Sequence, residues 1–140
     1  VETCPVAGGT VLRGTLWVPK GVQGPFPVVI MRSPYGAQKA RGSLAAWGNV
    51  ALAERGYAVL FQDTRGRFGS DGTFVPVATE LEDGAATLAW LAAQPWFDGR
   101  LAVFGVSYLG FTAWACAGGA ERASASRLTE CDANACASAT

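Results

Sequence analysis

The sequence predicts an α/β fold with a largely parallel sheet. Three short apolar runs, Val28–Arg32, Tyr57–Phe61 and Leu101–Phe104, have strand length and too little polar alternation for a sheet with one wet face. Stretches with helical spacing of apolar residues lie between and after them, the order expected of parallel strands joined by crossover helices. The chain has 140 residues, 50% of them hydrophobic, which is enough for one domain with its own core and too little for two.

The elements follow in order. Thr10–Val18 alternates loosely and stops at Pro19, so it reads as an early strand, and Lys20–Pro27, rich in Gly and Pro, reads as a loop. Val28–Arg32 is the first buried strand. Ser43 is placed to cap a helix running to about Arg55, with Leu44, Trp47 and Ala51 on one face and Gly56 at the left-handed C-cap position. Tyr57–Phe61 is the second buried strand, ending at Gln62-Asp63, and Thr64–Gly72 is a loop rich in glycine and charge. Thr79 and Glu82 have capping-box spacing, and Leu81, Leu88 and Leu91 mark the buried stripe of a helix that must stop before Pro95. Asp98-Gly99 signals a turn, Leu101–Phe104 is the third buried strand, and a helix follows through Trp114 and Ala117. Trp90, Trp96 and Trp114 are expected in the core. From Ala117 onward Leu128 is the single large aliphatic side chain. Residues 1–117 therefore read as the domain, and 118–140 as a disordered or foreign tail that buries too little apolar area to offset its ordering entropy.

Composition excludes several function classes. Formal net charge is zero, with 11 basic and 11 acidic residues, so no nucleic-acid partner or polybasic membrane patch is expected. No apolar run approaches the roughly 18 residues of a membrane span, and the start carries no leader pattern, so the expectation is a cytoplasmic protein with no membrane partner. Cys4, Cys116, Cys131 and Cys136 form neither a disulfide framework nor a metal set and read as free thiols.

The chemistry-bearing segment is Gly105-Val106-Ser107-Tyr108-Leu109-Gly110, between a buried strand and a helix. A serine on so sharp a turn has its hydroxyl exposed at the C-terminal edge of the sheet. The following helix aims its N-terminus at developing negative charge, and the Tyr108 amide is placed to donate to an oxyanion. The alternative is a strand-to-helix turn whose serine only caps the helix. The second glycine stands one place later than in Gly-x-Ser-x-Gly. The chain also has no histidine, so the base a serine nucleophile needs is absent from it. Tyr35 and Lys39 have Tyr-x-x-x-Lys spacing, yet Pro34, Gly36 and the lack of a Gly-x-Gly-x-x-Gly loop argue against a short-chain dehydrogenase.

Six blocks resemble, in register, the Xaa-Pro dipeptidyl-peptidase and cocaine-esterase type (CocE/NonD) of α/β-hydrolase. They are Met31–Gly36, Arg55–Val59, Gln62–Gly66 with Gly69–Gly72, Asp83-Gly84 before Trp90, Gln94–Trp96, and Gly105–Gly110 with Trp114. The resemblance spans residues 10–117 and includes the Ser-Tyr-x-Gly form of the elbow. One departure is Ala113, where the family commonly has Gln. The resemblance implies the N-terminal half of an α/β-hydrolase core with a mostly parallel sheet and flanking helices. It implies Ser107 as nucleophile, Tyr35 and the Tyr108 amide as oxyanion donors, a small acyl ester or peptide substrate, and no cofactor. The acid and histidine would come from later strands, so the 140 residues read as inactive alone. Asp63 and Arg65 are expected to order their loop, and Asp83 to serve the helix dipole. Two other readings are a non-catalytic α/β binding module and an enzyme assembled from two chains.

Overall fold

The computed structural model describes residues 1–36 and 44–120, the side chains of 44–47 excepted. Five strands form one sheet: β1 (Glu2–Pro5), β2 (Val11–Trp17), β3 (Phe26–Ser33), β4 (Ala58–Asp63) and β5 (Phe97–Val103). The helices are α1 (Leu44–Glu54), α2 (Glu80–Ala92) and α3, over residues 108–120. Strand order is β1-β2-β4-β3-β5. β3 runs parallel to both β4 and β5, as the apolar runs predict. β2 pairs antiparallel with β4, and β1 antiparallel with β2, so the sheet is mixed. β1 is an element the sequence reading did not anticipate.

β3 and β4 form the buried centre because their side chains are apolar on both faces. Phe26, Val28, Ile30, Ala58 and Leu60 meet Leu91 of α2 on one face, with Trp90 and Trp96 packed against them and edge to face with each other. Val29, Met31, Val59 and Phe61 point to the other face, toward Leu52 of α1 and Leu109 of α3. α2 and α3 meet at small residues: a Cβ on Gly84 would stand 3.1 Å from the Cys116 Cα, and one on Gly119 would stand 2.8 Å from the Ala85 nitrogen. α1 ends as expected, with Gly56 at φ +91° and the Gly56 amide donating to the Ala53 carbonyl at 3.1 Å.

Four expectations need correction. Asp98-Gly99 is no turn between elements; it lies inside β5, with Gly99 at φ +92° and a register shift against β3 between Phe26 and Val28. β5 is an exposed strand rather than a buried one, because β3 covers one of its edges and no described strand covers the other. Thr79 makes no side-chain cap hydrogen bond, so the capping box does not form. The buried stripe of α2 is Glu80, Asp83, Gly84, Thr87 and Leu91, a largely polar face, for a reason given below. The Ser43 cap, Lys39, Cys131, Cys136 and the tail over 121–140 lie outside the described residues, and α3 continues over 118–120.

The bare side of β5 carries apolar surface. Phe104, Val106 and Trp114 are 55%, 73% and 80% exposed, so Trp114 is not a core residue. An open apolar groove of about 790 Å³ runs beside them, lined by Met31, Leu52, Tyr57, Val103, Phe104 and Leu109 among others. Leu101–Phe104 has no charge to blunt the edge. The 140-residue chain by itself is therefore expected to self-associate at micromolar concentration and to bind the dye ANS. A monomer with a sharp cooperative melt and no dye binding would contradict this.

Candidate active site

The C-terminal ends of the parallel strands gather the candidate residues. β5 stops at Val103, and the Phe104 amide still donates to the Ile30 carbonyl of β3 at 3.0 Å. The chain then reverses within four residues into α3. Ser107 sits at the apex with φ +58°, one of three non-glycine residues at positive φ among the described residues. A left-handed serine costs on the order of 1–3 kcal/mol, and such strain persists only where the surroundings impose it. The Leu109 amide donates to the Val106 carbonyl and the Phe111 amide to the Ser107 carbonyl, both at 3.1 Å, so the turn leads directly into the helix. Ser107 is exposed. The Tyr108 amide belongs to the first turn of α3, where amides lack intrahelical partners and the dipole is positive.

The late second glycine has a geometric reason. Gly105 lies against the first turn of α3, and a Cβ there would stand 2.1 Å from the Leu109 carbonyl oxygen. Gly110 faces the Gly105 carbonyl, which a Cβ would approach to 3.3 Å. The two glycines therefore face each other across the turn.

Tyr35 follows β3 directly and so leaves the sheet at the same end as the elbow. It is 56% exposed, and its amide donates to Ser33 Oγ at 3.1 Å. The Arg67 guanidinium donates to the Pro34 carbonyl at 2.9 Å and lies over the rings of Phe68 and Phe74. Loop 64–72 thus braces the Pro34-Tyr35 segment.

Asp63 is buried at the end of β4 and accepts from the Gly69 amide at 3.3 Å, while its carbonyl accepts from Ser70 Oγ at 2.7 Å. Arg65 grips both Asp83 oxygens, at 3.0 and 2.5 Å, and donates to Thr10 Oγ1 at 3.0 Å. Asp83 does lie in the first turn of α2, but its carboxylate is engaged by arginine.

Sequence reading missed Arg32. It closes the apolar run Val28–Arg32, where the pattern of the run gives no role to a charge, yet its side chain is fully buried. Its Nε donates to Gln62 Oε1 and its Nη1 to the Glu80 carbonyl, both at 2.9 Å. Nη2 stands 3.2 Å from Glu80 Oε2 and 4.0 Å from Asp83 Oδ2. Neither Nη2 nor Glu80 Oε2 has an aligned hydrogen bond, so their contact is an ion pair only. Thr87 Oγ1 donates within the same cluster to Gln62 Oε1 at 3.0 Å or to the Asp83 carbonyl at 2.7 Å. This cluster is why α2 turns Glu80, Asp83 and Thr87 inward. A buried guanidinium must be paired, and its partners must follow it inside.

Tyr108 connects the elbow to this cluster. Its hydroxyl donates to Glu80 Oε1 at 3.0 Å and accepts from the Val77 amide at 3.1 Å. Its ring lies against Phe74 and Phe111. Burial, opposed by the Val77 amide and aided by Glu80, pushes the phenol above its ordinary range. Cys4 and Cys116 are buried free thiols, both pushed up by desolvation. Among the described residues no cluster of metal-ligating side chains occurs, and no helix is long and apolar enough to cross a membrane.

Comparison with known proteins gives these surroundings a context. The profile of the X-Pro dipeptidyl-peptidase (S15) family matches residues 8–131. Over 115 residues the chain is 40% identical to a cocaine esterase from Rhodococcus sp. (strain MB1 Bresler), covering 79% of this chain and 19% of that protein. Among solved structures, an aminopeptidase from a marine-sediment Thaumarchaeota archaeon superposes with TM-score 0.69 at 29% identity, over 82% of this chain and 22% of that one. An α-amino acid ester hydrolase gives TM-score 0.69 at 28% identity, over 81% and 22% of the two chains. A CocE/NonD family hydrolase from Staphylococcus aureus gives 0.70 at 26%, over 83% and 24%. The chain thus spans about a fifth of the length of these relatives.

Proposed function

The chain belongs to the X-Pro dipeptidyl-peptidase (S15) family of esterase- and peptidase-type α/β-hydrolases, and from that premise we propose that it carries the nucleophile and oxyanion half of a serine hydrolase site. The observation that carries the reading is Ser107 at φ +58° between β5 and α3. A merely capping serine has no need of that strain, whereas a nucleophile elbow depends on it.

In this reading Ser107 Oγ attacks the carbonyl carbon of an ester or amide. The Tyr35 hydroxyl and the Tyr108 amide donate to the oxygen that becomes anionic. A neutral phenol and a helix-N-terminal amide suit that charge, since both are in place before it develops. A base must take the serine proton and return it to the leaving group, and water then releases the acyl group. These 140 residues contain no histidine, so in this reading a histidine base is supplied from outside them, and the family resemblance puts its acid partner there too. No cofactor enters this chemistry.

The missing histidine also favours a second reading, a non-catalytic α/β module that keeps the fold. One experiment separates the two. The 140-residue chain is compared, on p-nitrophenyl esters, with a chimera that continues it with the remainder of the cocaine esterase. The chain alone is expected to stay near background, since without triad partners at most roughly 10³–10⁴-fold over water survives. The chimera is expected to turn over. Robust hydrolysis by the chain alone, lost on Ser107→Ala, would show that the base lies within it. A folded but inert chimera would favour the module.

A further inference from the structure

We propose that the buried Arg32–Glu80 pair is a positioning device that holds both oxyanion donors in register, an inference that rests on the hydrolase reading above. Two arms leave this pair. On one side, Arg32 is the residue before Ser33, whose hydroxyl receives the Tyr35 amide. The backbone there has two neighbours that can hold it: Thr112 Oγ1 donates to the Arg32 carbonyl at 2.8 Å or to the Leu109 carbonyl at 2.9 Å, and the Ser33 carbonyl accepts from the Thr64 amide at 3.0 Å. On the other side, Glu80 Oε1 accepts from the Tyr108 hydroxyl, and Tyr108 adjoins Ser107. Glu80 therefore faces Arg32 with one oxygen and the elbow with the other.

The groups packed around the pair balance in charge. Arg32 and Arg65 face Glu80 and Asp83, two cations against two anions. An apolar set of the same volume would hold the helices together equally well, and removing one partner of a buried pair leaves the other charge unpaired. What an apolar set cannot do is fix a direction. The pair and its hydrogen bonds hold the Tyr108 ring at one angle, and with it the first turn of α3. Donor geometry must hold to about 0.5 Å to be productive. Arg32, Glu80 and the Tyr108 side chain act through the two donors and touch no substrate, so they are positioning residues.

Hydrogen exchange read by mass spectrometry on the chimera tests this, since the 140-residue chain by itself is expected to associate through the surface that carries Phe104, Val106 and Leu109. Three segments are followed: 104–112 at the elbow, 30–36 before and through Tyr35, and 58–63 in β4 as a reference. Tyr108→Phe removes one oxygen and cuts the elbow arm alone. It should raise exchange in 104–112 by roughly five- to tenfold and leave the other two segments unchanged. Glu80→Gln removes the charge that faces Arg32 and leaves one amide oxygen for either Arg32 or Tyr108, so it weakens both arms and should raise exchange in 104–112 and 30–36, with 58–63 unchanged. In the chimera, Tyr108→Phe should lower kcat about tenfold with KM within twofold, a misplacement effect. No rise in 104–112 in Tyr108→Phe, or an equal rise in all three segments, overturns the proposal, as does an unchanged kcat. Tyr108→Phe decides the elbow arm if Glu80→Gln fails to fold, and a folded Glu80→Gln with 30–36 unchanged overturns the Tyr35 arm. The exchange readout does not involve turnover. An inert wild-type chimera therefore counts against the hydrolase reading, and unchanged exchange counts against the positioning role.

Discussion

Ser107→Ala in the chimera is expected to lower kcat by about 10⁶-fold, the loss seen when a hydrolase nucleophile is removed from a working triad. Ser107 is exposed at the apex of its turn, so the substitution removes a hydroxyl without opening a cavity. Melting temperature should be unchanged, or slightly raised. Tyr35→Phe in the same protein should cost roughly 10²–10³ in kcat with KM nearly constant, as for one oxyanion donor. Tyr35 is more than half exposed, and its amide bond to Ser33 Oγ does not use the phenol, so its stability should also be kept. A chimera whose turnover is indifferent to Ser107→Ala has its nucleophile elsewhere. One that loses activity with Ser107→Ala and keeps it with Tyr35→Phe leaves Tyr35 as a structural residue.

Gly105→Ala is expected to be among the most damaging single substitutions in the chain. The added Cβ would stand 2.1 Å from the Leu109 carbonyl oxygen and 2.2 Å from its carbon, both backbone atoms. No side-chain rotation relieves such a clash. The strand and the helix must separate, breaking the turn that presents Ser107. A loss of more than about 4 kcal/mol fits a backbone collision of this kind. Two controls bracket it. Gly110→Ala brings a Cβ to 3.3 Å from the Gly105 oxygen, a contact that shifts of a few tenths of an ångström relieve. Gly48→Ala in α1 meets no atom within 4 Å and should stabilise by up to about 1 kcal/mol, the helix-propensity difference. Thermal melting of the three chimera variants checks the order. A Gly105→Ala protein melting with the wild type would mean that the elbow is looser than its geometry indicates.

Much of this was legible in the sequence because the relevant physics is local. Apolar runs too short for helices gave β3 and β4, Gly56 gave the end of α1, and the six blocks gave the family. Ser107 stood out since a buried run, small residues and a helix start are all neighbours in the chain. The misses share a different cause. The Asp98-Gly99 pair has turn chemistry, but β3 recruits it into β5 through a register shift. Trp114 has core chemistry, yet its side of β5 is uncovered among the described residues.

Arg32 marks the boundary most clearly. Its partners Glu80 and Asp83 lie 48 and 51 positions later in the chain, on a helix that sequence patterning oriented by its leucines. The sequence by itself determined the central strands β3 and β4, the helix between them and the turn that carries Ser107, because each depends on residues within a few positions of one another, and it determined the family through short blocks that are each local. Only the tertiary structure decided which face of α2 is buried, that Arg32 lies inside, and that Tyr108 is tied to it through Glu80. A buried charge is tolerable only where distant partners meet it, and where they meet is set by how the elements pack.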